Sequence, residues 1–170
     1  MRVPVVIGAL VVAATVATAQ QQAQPARFSA EWYAQFSGPY SAPAEPFRII
    51  GNIHHVGAAN IASYLITSPE GHILLDTGMV EMHGVIRNNV AKLGFQTSDI
   101  KIMISSHAHF DHIAGHAMRQ RLTGAQVMTM VGDAEGLEAG TDNSALGAVG
   151  WEPVNVDRVL THGDTVSPCV

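Results

Sequence analysis

The amino-acid sequence predicts an α/β fold with helices laid on a sheet face and parallel neighbouring strands. Three observations carry this. Short runs rich in Ile, Val and aromatic residues, bounded by Gly and Pro, recur from Phe47 onward. Two later stretches place apolar residues at three- and four-residue spacing, the period of an amphipathic helix. From residue 72 these signals follow one another as strand, helix, strand, helix, strand, an order that layers helices on a sheet.

Along the chain, "FSAEWYAQFSGP" (28–39) predicts a short helix or ordered arm ended by Gly38-Pro39, and the prolines of "SAPAEP" make a connector. "FRII" (47–50), "NIHHV" (52–56) and "NIASYLIT" (60–67) predict strands. Ser68-Pro69-Glu70-Gly71 has Pro second and Gly fourth, as a type I turn prefers, and returns the chain into "HILLD" (72–76). Residues 60–76 therefore read as a hairpin. Met82, Val85, Ile86, Val90 and Leu93 mark a helix stopped by Gly94. Ile100, Ile102 and Ile104 alternate in a strand, "IAGHAMRQRLTG" (113–124) reads as one helix ended by Gly124, and "AQVMTMV" (125–131) is another strand. "DAEGLEAG" (133–140) suggests a helical turn capped by Asp133, "TDNSALGAVGW" (141–151) an irregular loop, and "VDRVL" and "DTV" short strands.

Composition narrows the function classes. The 170 residues suffice for one domain with a real core, and apolar content of 47% argues against wholesale disorder. The net charge is −5 with no Lys or Arg run, which disfavours nucleic acid and anionic membranes as partners. Arg2, the apolar "VPVVIGALVVAATVATA" and Ala17-Thr18-Ala19 read as a cleavable secretion signal over 1–19, so the mature chain is expected in the periplasm or outside the cell, with no membrane attachment after cleavage. Residues 20–46 are then a tether and arm, and 47–170 the folded domain. The single Cys169 supports neither an internal disulfide framework nor a cysteine-rich zinc module. A metal site in this chain must rest on histidine and carboxylate.

Such a site is written in "SSHAHFDHIAG" (105–115). Of the nine histidines, His107, His109, His112 and His116 fall within ten positions. His107 and His109 stand two apart at a strand end, so both project the same way with Cα atoms about 7 Å apart. Two imidazoles at that spacing converge on one ion. Asp111 and His112 follow where the strand gives way to a helix, and the broken backbone lets adjacent side chains face inward together. The helix N-terminus favours ionised Asp111 and neutral His112, the protonation states that bind metal. His54, His55, His72, His83 and His162 are scattered without a partner carboxylate and are discounted. His116 lies on the same helical face as His112 but on a helix that diverges, so it is expected to be solvated or to support the site indirectly.

"HAHFDH" (107–112) matches the His-x-His-x-Asp-His motif of the metallo-β-lactamase superfamily, and "ILLDTG" (73–78) resembles its upstream strand-end motif. The resemblance continues through "AKLGFQTSDIKIMISSHAHFDHIAG" and "VDRVLTHGDTV", covering most of the chain after the tether, and looks most like the third subclass of zinc β-lactamases. It implies an αβ/βα sandwich, of which this chain holds the N-terminal half and part of the remainder. It also implies Zn²⁺ as cofactor, two ions per complete enzyme, with His107 and His109 on the first and Asp111 and His112 on the second. Asp111 would be catalytic, orienting a hydroxide that attacks the lactam carbonyl of a small-molecule β-lactam. No protein partner is evident. Asp76 is expected either as a buried group near the metal loop or as a turn residue before Thr77-Gly78.

One departure bears on activity. The family pattern brings one further histidine to each zinc from downstream, the nearer in a Gly-His-x-x-Gly stretch, and nothing after "GDTV" matches it. A catalytic zinc normally has three protein ligands. The expectation is therefore a truncated β-lactamase chain of low activity, with one apolar sheet face left open. The alternatives are a lactone or thioester hydrolase of the same superfamily, or a non-catalytic zinc-binding fragment.

Overall fold

The computed structural model describes residues 37–142 and 150–168, together with Glu31 and Gln35. The expected signal, most of the tether and arm, most of the loop 141–151 and Cys169 lie outside the described residues.

Seven strands form one sheet in sequential order: β1 (Phe47–Ile50), β2 (Ile53–His55), β3 (Tyr64–Ser68), β4 (Gly71–Leu75), β5 (Ile100–Ile104), β6 (Gln126–Met130) and β7 (Arg158–Leu160). β1 to β4 pair antiparallel, and β4 to β7 pair parallel. Antiparallel neighbours close through tight turns, whereas parallel ones need a crossover. The connection from Ser68 to Gly71 is such a turn, its ends paired and tied by Ser68 Oγ donating to Gly71 O at 2.7 Å. The crossovers carry helices α1 (Met82–Lys92), α2 (Phe110–Ile113), α3 (His116–Thr123) and α4 (Ala134–Ala139).

Strand alternation sends successive side chains to opposite faces. Leu74, Met103 and Val127 meet Met82, Ile86 and Val90 of α1, Ala117 of α3 and Leu137 of α4 in the main core. Their neighbours Ile73, Ile102 and Met128 join Leu160 in a smaller cluster on the other face. The helices thus cover one face, as the periodicity predicts. The second face is less open than expected, because Val166 packs against this smaller cluster and its four central residues are buried. Met130 remains exposed, as does the whole of edge strand β1.

Several expectations shift. In "NIASYLIT" the strand begins only at Tyr64, because Ala58 N donates to Ile61 O and Val56 N to Ser63 O, closing a loop first. The arm does not end at Gly38-Pro39; a short helical turn runs Gly38–Tyr40 with the proline in its first turn, where a missing N–H costs nothing. "DTV" is no strand: the Asp164 carboxylate accepts from Thr161 N and Oγ1, folding the chain into a turn around Gly163. "IAGHAMRQRLTG" is not one helix either. It breaks at Ala114-Gly115, where Gly115 N donates to Gly78 O at 3.0 Å and the chain leaves the ladder to lie against the loop after β4. α3 does stop at Gly124.

Candidate metal centre

Parallel strands deliver their following loops to one edge, and the edge beyond β4 and β5 is where the polar cluster assembles. Ser105, directly after β5, is buried and shares a 2.7 Å hydrogen bond with Thr129 on β6. Beside it, Asp76 N donates to Ile104 O, and the N–H groups of Thr77 and Gly78 both donate to His112 O at 2.9 Å. The 76–78 loop and the 105–115 segment are therefore laced together by backbone bonds before any side chain is counted.

Asp76 is 3% exposed and sits at φ 58°, a left-handed conformation that Asp tolerates better than most residues. Its carboxylate accepts from Ser106 N (2.7 Å), from Ser106 Oγ (2.7 Å) and from His112 Nδ1 (2.9 Å). Burial pushes the carboxyl upward, but these hydrogen bonds outweigh it and hold Asp76 below the usual carboxylate range. An ionised carboxylate can only accept, so Nδ1 of His112 carries the proton. The hydrogen bond to Asp76 accordingly raises His112, against the opposing effect of burial. Of the two expectations for Asp76, the buried group near the metal loop is the one observed.

Ser106 has one hydroxyl proton and spends it on Asp76, so its oxygen accepts from His107 Nδ1 at 3.0 Å. In their neutral forms His107 and His112 are thereby fixed with Nδ1 protonated and Nε2 carrying the lone pair. Burial, followed by the neighbouring His112 and His109, keeps His107 below its ordinary value and hence neutral near pH 7. The His107 ring lies 4.4 Å from that of His109 and 4.0 Å from that of His112, centroid to centroid. The half-exposed Asp111 places Oδ2 3.6 Å from His112 Nε2.

The structure thus brings His107, His109, Asp111 and His112 to one place, as three imidazoles and a carboxylate. In kind this donor set suits zinc. Among the described residues, no group of three or more His, Cys, Asp or Glu side chains is disposed so that it could hold a metal ion. The convergence is between pairs.

His116 is not solvated. It is wholly buried, with Nδ1 2.7 Å from Thr77 Oγ1, and burial pushes it down to about 4. Of the discounted histidines, His54 and His72 are buried and meet the Phe95 ring edge-on, away from the cluster. Ser106 is the residue that sequence reasoning missed. Its signal was a second polar residue after the Ile-rich strand, where a loop about to hold histidines needs a hydroxyl.

Beside His107 and His109 opens a cavity of about 210 Å³ whose lining also includes Gly132, Asp133, Gly136 and Thr141, around α4. Asp133 occupies the expected cap position but makes no side-chain capping bond.

The profile of the metallo-beta-lactamase superfamily matches residues 56–167. The chain is similar to metallo-β-lactamase MIM-1 from Novosphingobium pentaromativorans, with 38% identity and a TM-score of 0.73 over 76% of this chain and 49% of that one. It resembles BJP-1, a subclass B3 metallo-β-lactamase of Bradyrhizobium japonicum, at 39% identity and TM-score 0.71, covering 77% and 50%. FEZ-1 from Legionella gormanii gives 37% identity and TM-score 0.70, covering 76% and 51%. The chain spans about half the length of each. Motif, sheet order and profile agree, and the chain belongs to the metallo-β-lactamase superfamily.

Proposed function

We propose that this chain carries the zinc-binding part of a β-lactam-hydrolysing site. The observation that supports it is the pairwise approach of the His107 ring to those of His109 and His112, and of Asp111 to His112, with Asp76 and Ser106 fixing two of the rings so that Nε2 is the free nitrogen. His107 and His109 would hold one zinc, and Asp111 and His112 a second. The chemistry that bound zinc supplies is a hydroxide available near pH 7 and a polarised carbonyl. Asp111, the most solvent-accessible donor of the four, would orient that hydroxide. The cavity beside His107 and His109 would seat the lactam ring, and the small residues of its lining leave room for substituents. The substrate would be a penicillin, cephalosporin or carbapenem, met after export through the signal in residues 1–19.

Zinc titration followed by absorbance assay of a carbapenem and a penicillin tests this. Zinc-dependent ring opening, slow because this chain brings only two of its own ligands to each zinc, is expected to fall further in Asp111→Ala, since the residue would both hold metal and orient the nucleophile. Cleavage of a lactone or thioester with no β-lactam turnover would reject the assignment.

A further inference from the structure

The cavity beside His107 and His109 contains one carboxylate with no structural task. Asp133 is half-buried at the head of α4, yet its side chain caps nothing, and among the described residues nothing donates to it. It is the only acidic side chain among the described residues that line this space. Beside the two histidines, the rest of the cavity lining among the described residues is Ala108, Gly132, Gly136 and Thr141, none of which carries a charge. His107 and His109 supply its imidazoles. A group entering the cavity meets one partly screened negative charge.

We infer that Asp133 is a specificity-determining residue, whose carboxylate selects β-lactams bearing an ammonium group on the acyl side chain over those bearing a carboxylate there. The inference rests on the reading of this site as a β-lactam hydrolase. A bicyclic β-lactam has two ends: the ring carboxylate next to the lactam nitrogen, and the acyl substituent beside the lactam carbonyl. Asp133 repels the ring carboxylate, so the bicycle lies with that end away from α4. The acyl substituent is then the end that faces Asp133. An ammonium there gains a charge partner in a half-buried setting, and a second carboxylate meets repulsion.

Three benzylpenicillins that differ only at the side-chain α-carbon, bearing amino, hydrogen or carboxylate, supply the test. Two quantities are read: Kd for the intact compounds on zinc-free protein, where nothing is hydrolysed, and kcat/KM on the zinc-loaded protein. The wild type should favour the α-amino over the α-carboxy compound by about three- to tenfold beyond the intrinsic ratio seen in Asp133→Asn, as expected for one partly screened charge. Raising the salt should shrink that preference in the wild type alone. Asp133→Ser, a second neutral replacement of different size, guards against a folding defect in the amide variant. Equal ratios in wild type and both variants overturn the inference while leaving the hydrolase reading intact. Charge discrimination in Kd without turnover of any of the three compounds overturns the hydrolase reading but supports the role given to Asp133.

Discussion

The Nδ1–H of His112 donates to Asp76 Oδ2 across 2.9 Å, joining the loop after β4 to the short helix α2. The same carboxylate holds Ser106 through both its N–H and its hydroxyl. One buried side chain therefore sets the orientation of two histidines.

Asp76→Asn should lower stability by about 1–3 kcal/mol, because an amide accepts fewer of these bonds and leaves polar groups unpaired. It should also weaken zinc binding about 10–100-fold, the usual cost of losing a group that orients a ligand histidine. Urea unfolding of zinc-free protein and a chelator competition titration measure the two. Unchanged zinc affinity would show that His112 needs no such support.

The same pair predicts a pH signature in the zinc-free protein. His112 is raised by Asp76, so its contribution is full below about pH 6.5 and fades as pH rises through the raised value. Asp76 is lowered, so its contribution is present above about pH 3.9 and is lost as pH falls through its depressed value. The pair contributes most between these limits. Urea midpoints from pH 6.5 to 8.5 should decline in the wild type and stay flatter in Asp76→Asn.

His116 acts in the opposite direction. Burial, helped by the charge of Arg119 and opposed by that of Asp76, pushes it down to about 4. A buried histidine held neutral loses stability as pH falls below about 6.5, and the loss is complete below the folded-state value, for about 3 kcal/mol. His116→Asn can still bond Thr77 and cannot be protonated, so its acid limb should be shallower. An identical acid limb in both proteins would remove His116 as the cause.

Arg119 is 1% exposed, with Nε and Nη1 lacking a partner among the described residues, and burial lowers its guanidinium to about 10. A buried charge with unmet donors is a standing cost. Arg119→Met, similar in length and apolar, should raise stability by about 1–3 kcal/mol, seen as a higher urea midpoint at unchanged m-value. A loss of stability instead would mean that the guanidinium has a partner that the variant leaves behind.

Gly78 lies at φ 65° between two backbone bonds that define the site loop, and a Cβ there would strike the Met82 sulfur. Gly78→Ala should cost about 1–2 kcal/mol from the left-handed backbone alone, with further loss as Met82 is displaced from the core. Thermal unfolding of the zinc-free protein reports it.

Much of this was legible in one dimension. Ile100, Ile102 and Ile104 announced β5, the three-four spacing from Met82 announced α1, and "HAHFDH" at a strand end announced where polar chemistry would gather. Each of these is a local pattern, because burial on one face imposes a period on the residues that supply it. The broken helix at Gly115 was not legible, since it depends on a contact with the distant loop after β4, and the delayed start of β3 follows from a loop over 56–63 whose backbone bonds no apolar pattern announces.

The sequence by itself determined the alternation of strand and helix, the clustering of three imidazoles with a carboxylate, and the membership that those residues imply. Tertiary structure alone decided that Asp76 is the partner of His112, that Ser106 links Asp76 to His107, that His116 is sealed in the core, and that Asp133 lines the same cavity as His107 and His109. The physical reason is distance along the chain. Periodicity and motif are set by near neighbours, whereas a hydrogen bond between residues 36 apart exists only once β4 and β5 lie side by side and carry their loops to the same edge.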